Sequence, residues 1–266
     1  MSRDYQEFII NVKRKTGIDL SLYKEAQMKR RLESFYEKKG YDTFQAFFLA
    51  MNKDPVLLEE FLERMTINVS EFYRNAKRWE VLEKEILPEL LMKKQPLRIW
   101  SAACSTGEEP YTIAMILSKF LPLSKIKVIA TDIDENAIAR AKLGVYPERS
   151  LNEVPIEIKN KYFKTEGNLH YLSKEIKQTV EFRKQNLLSD PFDGNYDLIV
   201  CRNVLIYFTE EAKNHLYRKF SQSLKQGGYL FVGSTEQIFN PAIFELQNGQ
   251  SFFYKKVFSN SDEYVN

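Results

Sequence analysis

The chain has 266 residues, enough for one large domain or two modest ones, and its 44% hydrophobic and 28% charged residues argue against a disordered protein. A net charge of +3 is too small to name a polyanionic partner by itself. The two cysteines, Cys104 and Cys201, argue against a disulfide scaffold or a zinc site, and no apolar run reaches the roughly 18 residues of a membrane span, so a cytoplasmic protein is expected.

No strand signal is visible in the first ninety residues. Apolar positions recur at helical spacing: Phe8 and Val12; Met28, Leu32 and Phe35; Phe44, Phe47, Phe48 and Met51; Leu57, Leu58, Phe61, Leu62 and Met65. Gly17, Gly40 and Asn52-Lys-Asp-Pro55 punctuate them, which predicts about four short helices ending near Thr66. From Lys13 to Lys39, nine Lys or Arg stand against four acids. Within that stretch Met28, Leu32 and Phe35 share one helix face, and Gln27, Arg30, Arg31, Ser34 and Lys38 the opposite one. Such a basic face is either a solvated surface or a dock for an acidic helix or nucleic acid.

A helix from about Arg78 to Met92 leads to Pro96. Strands and helices then alternate: Leu97–Ser101, a helix to Phe120, Lys127–Thr131, a helix Glu135–Leu143, Val180–Lys184, Leu198–Cys201, a helix from about Glu210 to Leu224, and Tyr229–Gly233. This pattern predicts a doubly wound α/β sheet with right-handed crossovers, to which Phe252–Lys256 adds antiparallel at one edge. The stretch Val145 to Lys177 is too long for a connection and predicts an inserted subdomain. The polar tail after Phe258 is expected to be disordered.

The chemistry concentrates at the ends of the predicted strands. Trp100-Ser-Ala-Ala-Cys-Ser-Thr-Gly-Glu-Glu-Pro-Tyr111 reads as strand, small-residue turn, helix, which lets backbone at Ala102 and Gly107 approach a nucleoside. The turn has one glycine, and Glu108 and Glu109 stand at its helix amino end. A dinucleotide pyrophosphate would be repelled there, whereas the sulfonium and amino group of S-adenosylmethionine suit it. Asp132, at the end of the next strand, fits two ribose hydroxyls, and Asp134 fits the cap of the following helix. Asn186 and Leu187 are placed to meet an adenine, and Arg202-Asn203 to project into the cleft, with Tyr207 close behind. Thr66-Ile-Asn-Val-Ser-Glu-Phe-Tyr-Arg74 is unusually rich in specific polar groups for a domain connection. His170 and His215 have no partners at metal-ligand spacing.

Several blocks stand together in order: Met65-Thr-Ile-Asn-Val-Ser-Glu-Phe-Tyr-Arg74, Trp100 to Tyr111, Ala130-Thr-Asp-Ile-Asp134, Cys201-Arg-Asn-Val-Leu-Ile-Tyr-Phe208 and Gly233-Ser-Thr-Glu236. With them the sequence resembles the CheR family of chemotaxis receptor glutamate O-methyltransferases. The resemblance implies a helical receptor-docking domain at 1–75 and a Rossmann-like S-adenosylmethionine-binding α/β domain at 76–258. It also implies a β insertion at about 145–178, and leaves 259–266 as a tail. It implies cofactor contacts at Asn68, Ser70, Arg74, Glu108, Asp132, Asn186, Leu187, Arg202 and Asn203. Arg74, holding the cofactor or the incoming carboxylate, and Tyr207, hydrogen-bonding near the transferred methyl, are the expected catalytic residues. Lys24, Gln27, Arg30, Arg31 and Lys38 would meet the acidic methylation helices of methyl-accepting chemotaxis receptors. The expected product is S-adenosylhomocysteine. No metal, no nucleic acid, only indirect membrane contact and a monomer are expected. A nucleic-acid methyltransferase and a non-catalytic adaptor are the alternatives.

Overall fold

The computed structural model describes residues 3–93 and 95–258, so the expected disordered tail lies outside the described residues. Contacts divide the chain into two units. The first holds the described residues up to Asn68 together with Ile206–Leu216; the second runs from Val69 to Leu205 and resumes at Tyr217.

The first unit contains α1 (Arg3–Thr16), α2 (Glu25–Lys38), α3 (Phe44–Lys53) and α4 (Pro55–Met65). Their ends are set by local chemistry. Thr43 accepts the amide of Ala46, and Asp54 accepts those of Val56 and Leu57 with Pro55 in the first turn, where proline costs no hydrogen bond. The Asp4 carboxylate of α1 accepts the amides of Phe44 and Gln45, satisfying orphan donors at the start of α3. The core is aromatic: Phe8, Phe44, Phe47 and Phe61 are buried, with ring centroids 4.8–6.2 Å apart. The returning segment is tied in by the Lys24 amide donating to the Tyr207 carbonyl (2.8 Å) and by Phe208 set edge-on to Tyr23.

The second unit opens with α5 (Ala76–Val81) and α6 (Leu87–Leu91), joined by a π-helical stretch Leu82–Ile86. Then come β1 (Ile99–Ala102), α7 (Glu108–Leu117), β2 (Val128–Asp132), α8 (Glu135–Leu143), β3 (Val145–Pro147), α9 (Ile156–Tyr162), β4 (Phe163–Glu166), β5 (Leu169–Leu172), α10 (Lys174–Lys177), β6 (Val180–Lys184) and β7 (Tyr196–Cys201). The chain closes with α11 (Glu210–Ser223), β8 (Leu224–Val232), β9 (Leu246–Asn248) and β10 (Phe253–Lys256). The main sheet has the order β6-β2-β1-β7-β8-β10-β9, and the first five of these strands run parallel. Every residue of β1, β2 and β7 is buried, which is why Ile99-Trp100, Val128–Ala130 and Leu198–Cys201 read as continuous apolar runs rather than alternating ones. The insertion is a three-stranded antiparallel sheet, β3-β5-β4.

Two details differ from the sequence reading. The strand Phe253–Lys256 is antiparallel as expected but is not the edge, because β9 pairs outside it. The three residues of β9, Leu-Gln-Asn, carry no strand signal of their own. β8 begins at Leu224, five residues before the predicted start, since Lys225-Gln-Gly-Gly228 looks like a turn yet continues the strand past a register shift opposite Tyr196 and Leu198.

Phe47 is fully buried among five rings. Phe47→Ala should destabilise the first unit by about 3–5 kcal/mol, whereas Leu49→Ala, at a 54% exposed position of the same helix, should change stability by less than about 0.5 kcal/mol. Urea unfolding of the two variants checks the contrast.

Candidate functional site

In the strand order, the chain leaves β1 on one side to reach β2 and returns on its other side as β7. Such a switch opens a crevice outside the carboxyl ends of the strands. The turn after β1 is built from left-handed residues, Ala103 (φ 59°), Ser105 (φ 49°) and Gly107 (φ 93°). The Gly107 amide donates to the Cys104 carbonyl, and the Cys104 amide donates to the Thr131 carbonyl of β2. A Cβ on Gly107 would lie 2.8 Å from that of Ala141. Glycine is therefore required there for packing against α8 as well as for its φ. Ala102 is fully buried at the end of β1, so its side chain contributes packing.

Asp132 ties the two turns together. One carboxylate oxygen accepts the Ser105 amide (2.7 Å) and the other the Asp134 amide (2.9 Å), and the residue is 7% exposed. The Ile133 amide also bonds this carboxylate, and the acceptor capacity that remains can take a ribose hydroxyl. Asp134 caps α8 through the amides of Asn136 and Ala137. Glu108 is buried and accepts hydroxyl hydrogen bonds from Thr106 (2.7 Å) and Ser70. Burial pushes the carboxyls of both Asp132 and Glu108 above their ordinary range.

Glu109 accepts from the Ser101 hydroxyl (2.9 Å) and lies 3.9 Å from the Arg202 guanidinium. Burial raises it to about 7, opposed by Arg202. Arg202 is 6% exposed and stacks over Trp79 and Phe231, at 5.0 and 4.8 Å to the ring centroids. It donates to the Arg74 carbonyl (2.9 Å) and to Asn75 Oδ1 (3.1 Å). Its Nε–H is buried without a hydrogen-bond partner among the described residues, a donor that a ligand would satisfy. Arg74 sits between two left-handed residues, Tyr73 and Asn75, and donates to the Val69 carbonyl. Asn203 is left-handed (φ 61°) directly beyond β7.

The structure thus brings Ser70, Arg74, Glu108, Asp132, Arg202 and Asn203 into the second unit, on or beside the carboxyl ends of its strands and the segment before α5. Asn186 follows β6 and already uses its side-chain oxygen to accept the Leu188 amide, which leaves its NH₂ group as the available donor. Leu187 is buried, and its carbonyl accepts from Lys219. Asn68 and Tyr207 belong to the first unit, where Asn68 donates to the Thr66 hydroxyl. Glu236 was given no role from sequence beyond its place in the Gly233–Glu236 block, because one carboxyl in a loop looks like any other. Among the described residues, no three His, Cys, Asp or Glu side chains converge as metal ligands. No described helix is long and apolar enough to cross a membrane.

The first unit carries a separate feature. Gln27, Arg30, Arg31 and Ser34 of α2, with Arg64 of α4, line a cleft of about 420 Å³. Arg31 donates to the Met65 carbonyl (3.1 Å) and stacks 5.5 Å from the Tyr207 ring centroid. Lys24 and Lys38, at the two ends of α2, do not line the cleft. Arg64 was missed because a lone arginine in the last turn of a helix reads as dipole compensation.

The Glu109 carboxyl yields a pH prediction. Unfolded, it loses its proton near the ordinary value of 4.5; folded, it keeps it to about 7. Between those values the folded state binds more protons, so rising pH removes stability through this group. Urea midpoints of Glu109→Gln relative to the parent chain should therefore climb between pH 5 and 7.5. A constant difference across that window would contradict the buried placement.

Comparison with known proteins adds to this geometry. Residues 68–253 match the family described as CheR methyltransferase, SAM binding domain, and residues 3–66 match the CheR methyltransferase, all-alpha domain. The chain is 46% identical to a chemotaxis protein methyltransferase of Listeria monocytogenes, over 96% of this chain and 98% of that one. It is 38% identical to one of Borreliella burgdorferi (84% and 83% covered) and 33% identical to chemotaxis protein methyltransferase 1 of Pseudomonas aeruginosa (89% and 91% covered). The protein therefore belongs to the CheR methyltransferase family and is an S-adenosylmethionine-dependent methyltransferase.

Proposed function

We propose that this chain methylates glutamate side chains of chemotaxis receptors, forming methyl esters. The observation that carries the reading is the rim of carboxylates at the switch point of the sheet, with Asp132 and Glu108 buried and Glu109 largely so. A ribose diol and a cationic donor complement it, whereas a pyrophosphate would not. The orphan Nε–H of Arg202 supports the same fit, because a donor buried at that rim calls for an acceptor on the ligand.

The residues divide the work by their chemistry. Asp132 accepts a ribose hydroxyl, Glu108 and Glu109 offset positive charge, and Asn186 with Leu187 receives the adenine. Arg202 and Asn203 close the cleft beyond β7. When bound, S-adenosylmethionine supplies an electrophilic methyl group on a positively charged sulfur. The accepting glutamate, with an ordinary pKa of about 4.3, is ionised near neutrality and requires no general base. That agrees with the absence of a His or Cys at the described strand ends in any state but buried and structural: burial raises both Cys104 and Cys201 well above the ordinary thiol range. The chain's task is alignment, and Arg74 is the residue suited to hold an anionic group. The basic cleft of the first unit, with Arg30, Arg31 and Arg64, receives the acidic receptor helix.

Incubation with labelled S-adenosylmethionine and receptor-containing membranes should label a receptor band that releases methanol in mild alkali; an alkali-stable label would indicate a different acceptor. Asp132→Asn should weaken S-adenosylhomocysteine binding by about 10–100-fold, the cost of charge-assisted hydrogen bonds, as read by calorimetry. Arg74→Ala should lower turnover by about 100-fold, and an unaltered rate would remove Arg74 from the site. Arg30→Glu and Arg64→Glu should raise KM for receptor with a salt-dependent effect while leaving cofactor affinity intact; unchanged receptor KM would place docking elsewhere.

A further inference from the structure

Gly233-Ser-Thr-Glu236 is a sequence block that the proposed mechanism leaves without a task. We infer that Glu236 is a positioning residue for methyl transfer, its buried carboxylate clamping the Arg202-Asn203 turn in the form that faces the cofactor. The inference rests on the second unit being the cofactor-binding unit.

Glu236 is 4% exposed although it lies in a loop beyond β8. A single carboxylate oxygen accepts two amides, those of Asn203 and Gly233, each at 2.7 Å. The Glu236 amide in turn donates to the Gly233 carbonyl, closing a tight turn. The carboxylate thus stitches the end of β8 to the first residues after β7. Hydrogen bonds to an ionised acceptor are about twice as strong as neutral ones, and burial strengthens them further.

The position of Gly233 depends on this clamp. A Cβ there would lie 2.4 Å from the Glu236 carboxylate, 3.0 Å from the Asn203 amide nitrogen and 3.2 Å from Asn203 Nδ2. Any side chain would force the clamp open. Asn203, meanwhile, holds a left-handed φ of 61°, a conformation that asparagine tolerates better than most residues but that is more secure where its amide is bonded. The Glu236 carboxylate supplies that bond. Glu236 also faces the Arg202 guanidinium electrostatically, together with Glu109, so it helps balance a cation that is 6% exposed. A carboxylate with these bonds has little reason to be buried unless the turn it holds must keep one shape.

Three variants test the assignment: Glu236→Ala, Glu236→Gln and Gly233→Ala. S-adenosylhomocysteine affinity is read by calorimetry, KM for S-adenosylmethionine and for receptor by methyl transfer, and folding by thermal melting. Glu236→Ala and Gly233→Ala should each weaken S-adenosylhomocysteine at least tenfold and raise KM for S-adenosylmethionine in step, with receptor KM within twofold. Glu236→Gln keeps an acceptor oxygen and should recover part of the loss, falling three- to tenfold below the parent. The assignment is overturned if folded Glu236→Gln and Gly233→Ala bind within twofold of the parent, or if cofactor and receptor KM rise together. It is also overturned if all three variants fail to fold, because the role would then be structural. Failure of the parent chain itself to bind S-adenosylhomocysteine would instead strike the underlying reading of the unit.

Discussion

The Asp132 carboxylate is the constraint on which the cofactor rim depends. It is nearly out of water, yet it accepts an amide from the turn after β1 and another from the turn after β2. Two neighbouring parallel strands are thereby locked at their carboxyl ends. The turn it holds contains two non-glycine residues at positive φ, Ala103 and Ser105, which such bonds make tolerable. Desolvation raises the carboxyl, so its charge is costly until a ligand or backbone donors surround it. A rim prepared in this way needs little reorganisation when a nucleoside arrives.

Around that lock the charges are paired rather than simply accumulated. Glu108 is met by Thr106 and Ser70 hydroxyls, Glu109 by Ser101 and Arg202, and Arg202 by carbonyl and amide oxygens and two aromatic faces. Removing one partner from such a network would leave a buried charge uncompensated, which is far more costly than the pair is stabilising. This accounts for a site with several acids and few bases. On the proposed reading such a site would accept a cation and orient an anion without proton transfer.

The first unit solves a different problem with different means. Its interior is a cluster of phenylalanine rings, which leaves the outer face of α2 free for charge. Arg31 is held by the Met65 carbonyl and the Tyr207 ring, so part of the basic cleft is fixed in advance. Fixing a long side chain beforehand lowers the entropy lost when a partner docks. Arg30 remains exposed and adaptable.

The order of strands and helices, the buried character of β1, β2 and β7, the Asp134 cap and the small-residue turn before α7 were all legible in the sequence, because periodicity and capping are local properties. The same holds for Asp132 and Arg202-Asn203, which stand at the ends of apolar runs. What was not legible depends on pairing between distant segments. β9 is a strand only because β10 lies beside it, and Arg64 joins the cleft only because α4 packs near α2. Glu236 meets Asn203 across 33 positions of chain, and Glu109 acquires its proton affinity from burial that no neighbour in sequence provides. Local sequence determined which elements form and where polar residues interrupt them. The tertiary structure alone decided which of those polar groups are desolvated together, because desolvation and long-range hydrogen bonding exist only once the strands are side by side.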